Sequence, residues 1–433
     1  SLLHDIGKFA WRCATEEESK SQKGHWLSHE DWNRRIVRMA GSKVSFAFWS
    51  KEIYSPETNC VWLGDWISAQ ERDDLDEPEK EDKKSSIERT KNTLLLSIFS
   101  RIKNFDKDVY CKHTNLTSEL PSDNHFVESQ EGNVFDKGLY NSFEGQIRGA
   151  LGKYDLESEG QRHSLLRELN DLLKKCLINV PSATYKSKPD IDLYNHSKTA
   201  CAISACLYKF FLNEQEKNSK FLHQLREDMR DIFLSKISTS LSYTSPVFIL
   251  IKGNFSGIQD FVSTIATDKA IKMLKSRSSY ISILNRVLPL KLVRELDLPE
   301  VNILFSDGGN FEILSPNTYE AKSKLKEFSD KINAFFWGLF GIKLFLQVKF
   351  KEISAESFSR DKFWKEFGDE NTQEAGTRWQ PINSKEMKFI DELKSATDIK
   401  GNQSIKSGSN KCRICSQEAD DADLSEGSCH TCM

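Results

Sequence analysis

Residues 246–261 read PVFILIKGNFSGIQDF, and residues 301–316 read VNILFSDGGNFEILSP. The first opens with an unbroken β-rich run bounded by Pro246 and Gly253, which suits a buried central strand. NFSG is a turn, and the apolar spacing beyond it predicts helix from Ile258 to Ile265 and through Ala270–Leu296. The second stretch is two strands flanking Asp307-Gly308-Gly309-Asn310, a hairpin signal because Gly and Asn accept positive φ. Amphipathic helix is expected over Asn317–Leu339, and KLFLQVKFKEI (343–353) alternates like a half-exposed strand. The order β-α-β-β-α-β predicts the split βαβ, ferredoxin-like plan, the architecture of palm domains, over residues 241–355.

Upstream, residues 1–240 read as a separate α-helical domain. An apolar stripe surrounds His4 and Asp5, and a second helical stretch follows Ser28. Further helical patterns run over Ser164–Leu177, Ser197–Leu212 and Phe221–Ile237. Residues 71–91 are mostly charged, and 104–160 are polar and turn-rich, so about 71–160 is expected to be a polar insertion. Downstream, 356–433 is a polar linker leading to a cysteine-rich end. The fold class is thus α+β multidomain: helical domain, ferredoxin-like palm, four-cysteine zinc ribbon.

Composition narrows the function. The chain has 433 residues, with 27 Phe and 9 Trp to build cores, which excludes global disorder. No run approaches the roughly 20 apolar residues of a membrane span, so no membrane role is expected. Net charge is −3, so any nucleic-acid contact needs a local basic surface or a partner. Of 10 Cys, Cys412, Cys415, Cys429 and Cys432 form two CxxC pairs near the end. With no export signal in view, that clustering points to a reducing, cytoplasmic setting and to a metal.

Four places carry chemistry. In LLHDIGK, His4 and Asp5 offer an imidazole nitrogen and a carboxylate oxygen, suited to Mn, Ni, Co or Mg. Burying such a pair implies a metal or a hydrogen-bond network. Further ligand candidates are Asp65 in WLGDWISAQER, His25 and His29 four apart, and Asp192 and His196 four apart; surface or capping roles are the other reading. The two cysteine pairs, 13 residues apart, match a closed structural Zn²⁺ site, with His430 as an alternative ligand. GNFSGIQDF, followed by Lys269, Lys272, Lys275 and Arg277, is either an anion-binding turn or an ordinary tight one. The Ser306–Asn310 hairpin has Asp307 as its single acid, too few for a two-metal site, so the palm reads as non-catalytic.

Taken in order, LLHDIGKF, WISAQER, PSATY…DIDLYNHSKTACAI, KGNFSGIQDFV, LFSDGGNFEILSPNT and the CxxC…CxxC ribbon resemble the large subunit of type III CRISPR effector complexes, the subtype III-A version most closely. The resemblance covers nearly the whole chain. It implies an HD domain that cuts single-stranded DNA with divalent metal on His4, Asp5 and Asp65, inside a multisubunit complex holding guide RNA and target RNA. It also implies that the first palm supplies part of an ATP–Mg²⁺ cleft for cyclic oligoadenylate synthesis, through Asn254, Phe255, Ser256, Gly257, Gly308 and Gly309. The GGDD motif of the second palm is not in this sequence, so the chain reads as a piece of that machinery. The family's His-His doublet is also missing: the matching stretch reads FAFWSKE (46–52). Either His25 or His29 substitutes, or the subunit is a degenerate scaffold that binds RNA and partner subunits without cutting.

Overall fold

The structure is a computed structural model that describes residues 2–15, 17–20, 27–28, 31–33, 55–70, 90–101, 107–113, 125–128, 137–155, 157–184, 187–234, 240–263, 270–340, 344–359 and 362, and five two-residue strands beyond. The chain divides into two compact units. One is Ser1–Ser245 with Pro299–Asn302 and Ser354–Asp369; the other is Pro246–Leu298 with Ile303–Ile353 and Glu370–Met433. No helix among the described residues is long and apolar enough to cross a membrane.

The first unit is mainly helical: α1 (Gly7–Cys13), α2 (Pro56–Ala69), α3 (Lys137–Lys153), α4 (Glu159–Leu177), α5 (Leu193–Asn213) and α6 (Gln215–Phe233). A small antiparallel sheet, β1 (Leu95–Leu96), β2 (Tyr110–Cys111) and β3 (Phe126–Val127), lies between α2 and α3 in the chain. Here the expectation of a polar insertion over 71–160 is corrected for 137–153, while 71–89 and 114–124 lie outside the described residues. Helix α3 carries Tyr140, Phe143, Ile147 and Leu151 into the same core as Leu2, Ile6 and Phe9. Phe9 meets Tyr140 and Phe143 edge to face, with ring centroids 5.7 and 5.4 Å apart. The three-to-four spacing of those apolar residues was diluted by the polar residues between them, so mean polarity hid a core helix. Burying each such side chain contributes about 1.5–3 kcal/mol.

Two local devices set the geometry of α2 and α5. Ser55 caps α2 by accepting from the Thr58 N–H (3.2 Å), with Pro56 at the first helical position. Gly64 then lets α2 approach α5 closely. A Cβ there would lie 2.1 Å from Ser204 Oγ and 2.5 Å from the Ala200 carbonyl oxygen. The helix face that follows Gly64 is therefore pressed against α5.

The second unit is built on β4 (Phe248–Ser256), followed by α7 (Ile258–Ser263), α8 (Ala270–Glu295), β5 (Ile303–Asp307), β6 (Asn310–Pro316), α9 (Tyr319–Phe340) and β7 (Phe345–Ile353). A short β8 (Gln380–Pro381) adds an edge, and the sheet order is β5-β6-β4-β7-β8, every pair antiparallel. Chain order and strand order together are those of a split βαβ sheet. Phe248–Ile251 are all buried, which explains the unbroken apolar run at the strand's start. Gly253 faces Phe311 across the ladder, and a Cβ there would sit 2.1 Å from that ring, so only glycine fits. In α8, Pro289 cannot bond back to the Asn285 carbonyl. That oxygen instead accepts from Ser306 Oγ at 2.7 Å, fastening the helix to β5.

Near the end, Asn410–Lys411 pairs with Glu418–Ala419, and Leu424–Ser425 with Ser428–Cys429, both antiparallel. The side chains of Cys412, Cys415, Cys429 and Cys432 lie outside the described residues, as does His430.

Candidate metal centre

Three chain segments of the first unit converge on one point. His4 and Asp5 come from the turn that enters α1, Asp65 from α2, and His196 from the first turns of α5. One ligand-type atom from each lies within 4.8 Å of all the others. His196 Nε2 is 3.0 Å from Asp65 Oδ1 and 3.4 Å from Asp5 Oδ2. His4 Nε2 is 3.3 Å from the same Asp65 oxygen and 3.5 Å from the same Asp5 oxygen. The side chains of His4, Asp5 and His196 are 7%, 6% and 0% exposed, whereas Asp65 is 34% exposed and marks the open side. Among the described residues this is the one group of three or more metal-type ligands.

The surrounding hydrogen bonds fix how these groups present themselves. Ser68 Oγ donates to the Asp65 carbonyl at 2.9 Å, one turn back on α2. The same hydroxyl lies 3.2 Å from His196 Nδ1 and steadies the ring. On its other side His196 Nε2 is 3.0 Å from Asp65 Oδ1, and because an ionised carboxylate only accepts, Nε2 donates there when no metal is bound. Two carboxylates converging on two imidazole nitrogens call for positive charge between them, a role a metal ion can take over from a proton. Lys8 bonds Asp5 from the outer side. Asn33 clamps the turn, donating to the His4 carbonyl and accepting from the Gly7 N–H.

Electrostatics follow from the same contacts. Burial pushes the Asp5 carboxyl up, but Lys8, His4 and His196 outweigh it and hold it well below the usual range. Burial likewise opposes ionisation of Asp65, and hydrogen bonds from His196 and His4 reverse that. Burial lowers His4, yet Asp5 and then Asp65 raise it above its ordinary value. Both acids are thus ionised at neutral pH. In the absence of a metal, a proton on His4 is favoured where a cation would sit.

Other residues singled out from the sequence fall elsewhere. Asp192 caps α5, accepting from the Asn195 N–H at 2.8 Å and the Asn195 side chain at 2.6 Å, and is not part of the cluster. His25 and His29 lie outside the described residues, as does FAFWSKE. In the second unit, Asn254, Ser256, Gly257, Gly308 and Gly309 gather at one end of the sheet. Asn254 donates to Asn310 Oδ1 at 2.5 Å, and the Phe255 N–H donates to the Gly309 carbonyl at 2.9 Å. Gly257, Gly308 and Gly309 all have positive φ, the conformation the hairpin requires. Phe255 and Arg277 instead turn inward. Phe255 is buried near Phe336, and the buried Arg277 donates to the Phe261 carbonyl at 2.8 Å. Asp307 accepts from its neighbour's Gly308 N–H at 2.7 Å.

The family model described as Csm1 subunit domain B matches residues 247–394. A Methanocaldococcus jannaschii protein named CRISPR system single-strand-specific deoxyribonuclease Cas10/Csm1 (subtype III-A) is 30% identical across 97% of this chain and 53% of its own length. The chain is homologous to Cas10/Csm1 of subtype III-A CRISPR systems. The Cas10/Csm1 of Streptococcus thermophilus is 27% identical across 96% of the chain and 52% of its own length. The chain therefore spans about half the length of these curated Cas10/Csm1 relatives. Among solved structures, Csm1 of T. onnurineus aligns over 92% of this chain and 48% of its own, with a TM-score of 0.54 at 21% identity. A Csm1–Csm4 cassette in complex with cA4 aligns over 92% of this chain and 47% of its own, with a TM-score of 0.53 at 21% identity. Both share the fold.

Proposed function

We propose that the first unit is a metal-dependent phosphodiesterase for single-stranded DNA, working within an RNA-guided type III-A effector complex. The observation that carries this reading is the convergence of His4, Asp5, Asp65 and His196, with Ser68 set against the His196 ring. The residues fit a Mn²⁺-, Ni²⁺-, Co²⁺- or Mg²⁺-class ion: two imidazole nitrogens and two ionised carboxylates, with no thiolate in the set. When bound, such an ion lowers the pKa of a water and balances charge on the phosphate. His4 and His196 would hold it from the buried side. Asp5 would be kept ionised by Lys8, and Asp65 would face the open side where a strand can approach. Names of the relatives support the substrate, single-stranded DNA.

For the second unit, the proposed role is the first palm's share of an ATP–Mg²⁺ site for cyclic oligoadenylate synthesis, completed by a GGDD-bearing palm. Its support is the gathering of Asn254, Ser256, Gly257, Gly308 and Gly309 at one sheet end, together with nucleotide-bearing neighbours of the same fold. Guide and target RNA, Csm4-like subunits and a structural Zn²⁺ on Cys412, Cys415, Cys429 and Cys432 complete the proposal. The nuclease reading is tested with Mn²⁺ and a single-stranded oligodeoxynucleotide. The double variant His4→Ala, Asp5→Ala should abolish cleavage by the chain while retaining its circular-dichroism spectrum; unchanged cleavage contradicts the reading.

A further inference from the structure

Helix α2 places aromatic surface beside the metal centre. Its inward face is Cys60, Leu63 and Ile67, each buried. Trp62 and Trp66, four apart, lie on another face, with Asp65 three residues after the first and next to the second. Residues three and four apart on a helix are neighbours, so Trp62 lies beside Asp65 on the helix surface and next to Trp66. The two rings meet edge to face at 5.7 Å. A tryptophan serving only the core would be covered, yet Trp62 is 38% exposed. Over its ring, at 5.7 Å, sits the Arg226 guanidinium, fixed to Asn59 Oδ1 of the same helix by a 2.6 Å hydrogen bond. An exposed indole, braced edge-on by Trp66, and an anchored positive charge thus stand together one helical turn from Asp65.

We infer that Trp62, braced edge-on by Trp66, forms a base-stacking platform that seats single-stranded DNA against the metal centre, with Arg226 attracting the backbone phosphate. The inference rests on the nuclease reading and adds to it how the strand is held. Every base has a π face, so stacking tolerates any sequence. Bases in a duplex already have both faces occupied, so the same platform favours unpaired strands. Trp62 is a positioning residue here; it touches bases and not the scissile phosphate, while Trp66 braces it.

The test measures binding with cleavage silenced by EDTA, using a fluorescent 12-mer of thymidylate, an abasic strand of equal length and a 12-base-pair duplex. The unmodified chain should bind the thymidylate strand about tenfold or more tightly than the abasic one, in line with the usual strength of base–aromatic stacking. Trp62→Ala should erase that preference, while Trp62→Tyr should keep most of it. With Mn²⁺ present, Trp62→Ala should raise KM and leave kcat nearly unchanged. Equal binding of the two strands by the unmodified chain, or a preference untouched by Trp62→Ala, overturns the platform, as does failure to bind the thymidylate strand at all. A base preference that depends on Trp62 in a chain that cuts nothing would sink the nuclease reading alone. Cleavage that needs His4 but ignores Trp62 would sink the platform alone.

Discussion

The metal centre and the Gly308–Gly309 hairpin both gather polar groups at a turn of the chain, but they answer those groups in opposite ways. Around His196, four ligand-type groups from three segments face one another, three of them buried. Two buried, ionised carboxylates sharing the same imidazoles need positive charge among them, so the arrangement makes sense around a cation. At the hairpin, the side chains are amides, and Asn254 and Asn310 satisfy each other directly. The one acid, Asp307, is answered by the next residue's backbone. The difference teaches that buried, convergent charge marks the metal site, whereas a carboxylate in a glycine turn does not.

The sharpest way to break that contrast is through Ser68. If its hydroxyl holds the His196 ring in place, Ser68→Ala should weaken Mn²⁺ binding about 10–100-fold, the usual cost of losing such an outer partner. Asp307→Ala should leave it unchanged; calorimetric titration of both variants reads the comparison.

Next is pH. In the metal-free protein, the raised His4 contributes stability that is complete below its ordinary value of 6.5 and is lost as pH climbs through the raised one. The depressed Asp5 and Asp65 contribute above their ordinary 3.8 and lose it as pH falls through the lowered values. The first unit should therefore be most stable in EDTA between about pH 4 and 6.5. Mn²⁺ must displace the His4 proton, so its affinity should climb with pH by up to about tenfold per unit across that titration. Melting curves and titrations at stepped pH check both.

A smaller effect separates two glycines. Gly64→Ala meets Ser204 and the Ala200 carbonyl, so α2 and α5 must part; about 1–3 kcal/mol of stability should be lost together with metal affinity. Gly308→Ala has open space but a φ of +61°, so it should cost about 1–2 kcal/mol and leave metal binding intact.

These residues also show what the sequence could reveal. The palm was legible because its signals are local: a run of apolar residues, a DGGN turn, an alternating strand. His4, Asp5 and Asp65 stood out as polar groups in apolar frames, and the four-residue spacing flagged His196. The same spacing misled for Asp192, because an aspartate before a helix caps it whether or not a metal is near. Ser68 carried one faint signal, lying one turn after Asp65. Asn33 carried none, since its clamp on the His4 turn joins residues 29 apart in sequence. In 104–160 the sequence suggested one short helix at most, because the narrow apolar stripe of α3 is broken by Gly, Asn and Ser, residues that also read as turn.

The most direct test of the central claim is pulsed EPR of Mn²⁺ bound to the chain, an ion that shuns thiolates and so ignores the cysteine pairs. The account predicts nitrogen couplings from two imidazoles, reduced to one by His196→Ala and to none when His4→Ala is added. Mn²⁺ bound without imidazole nitrogen, or bound identically by the double variant, would contradict it.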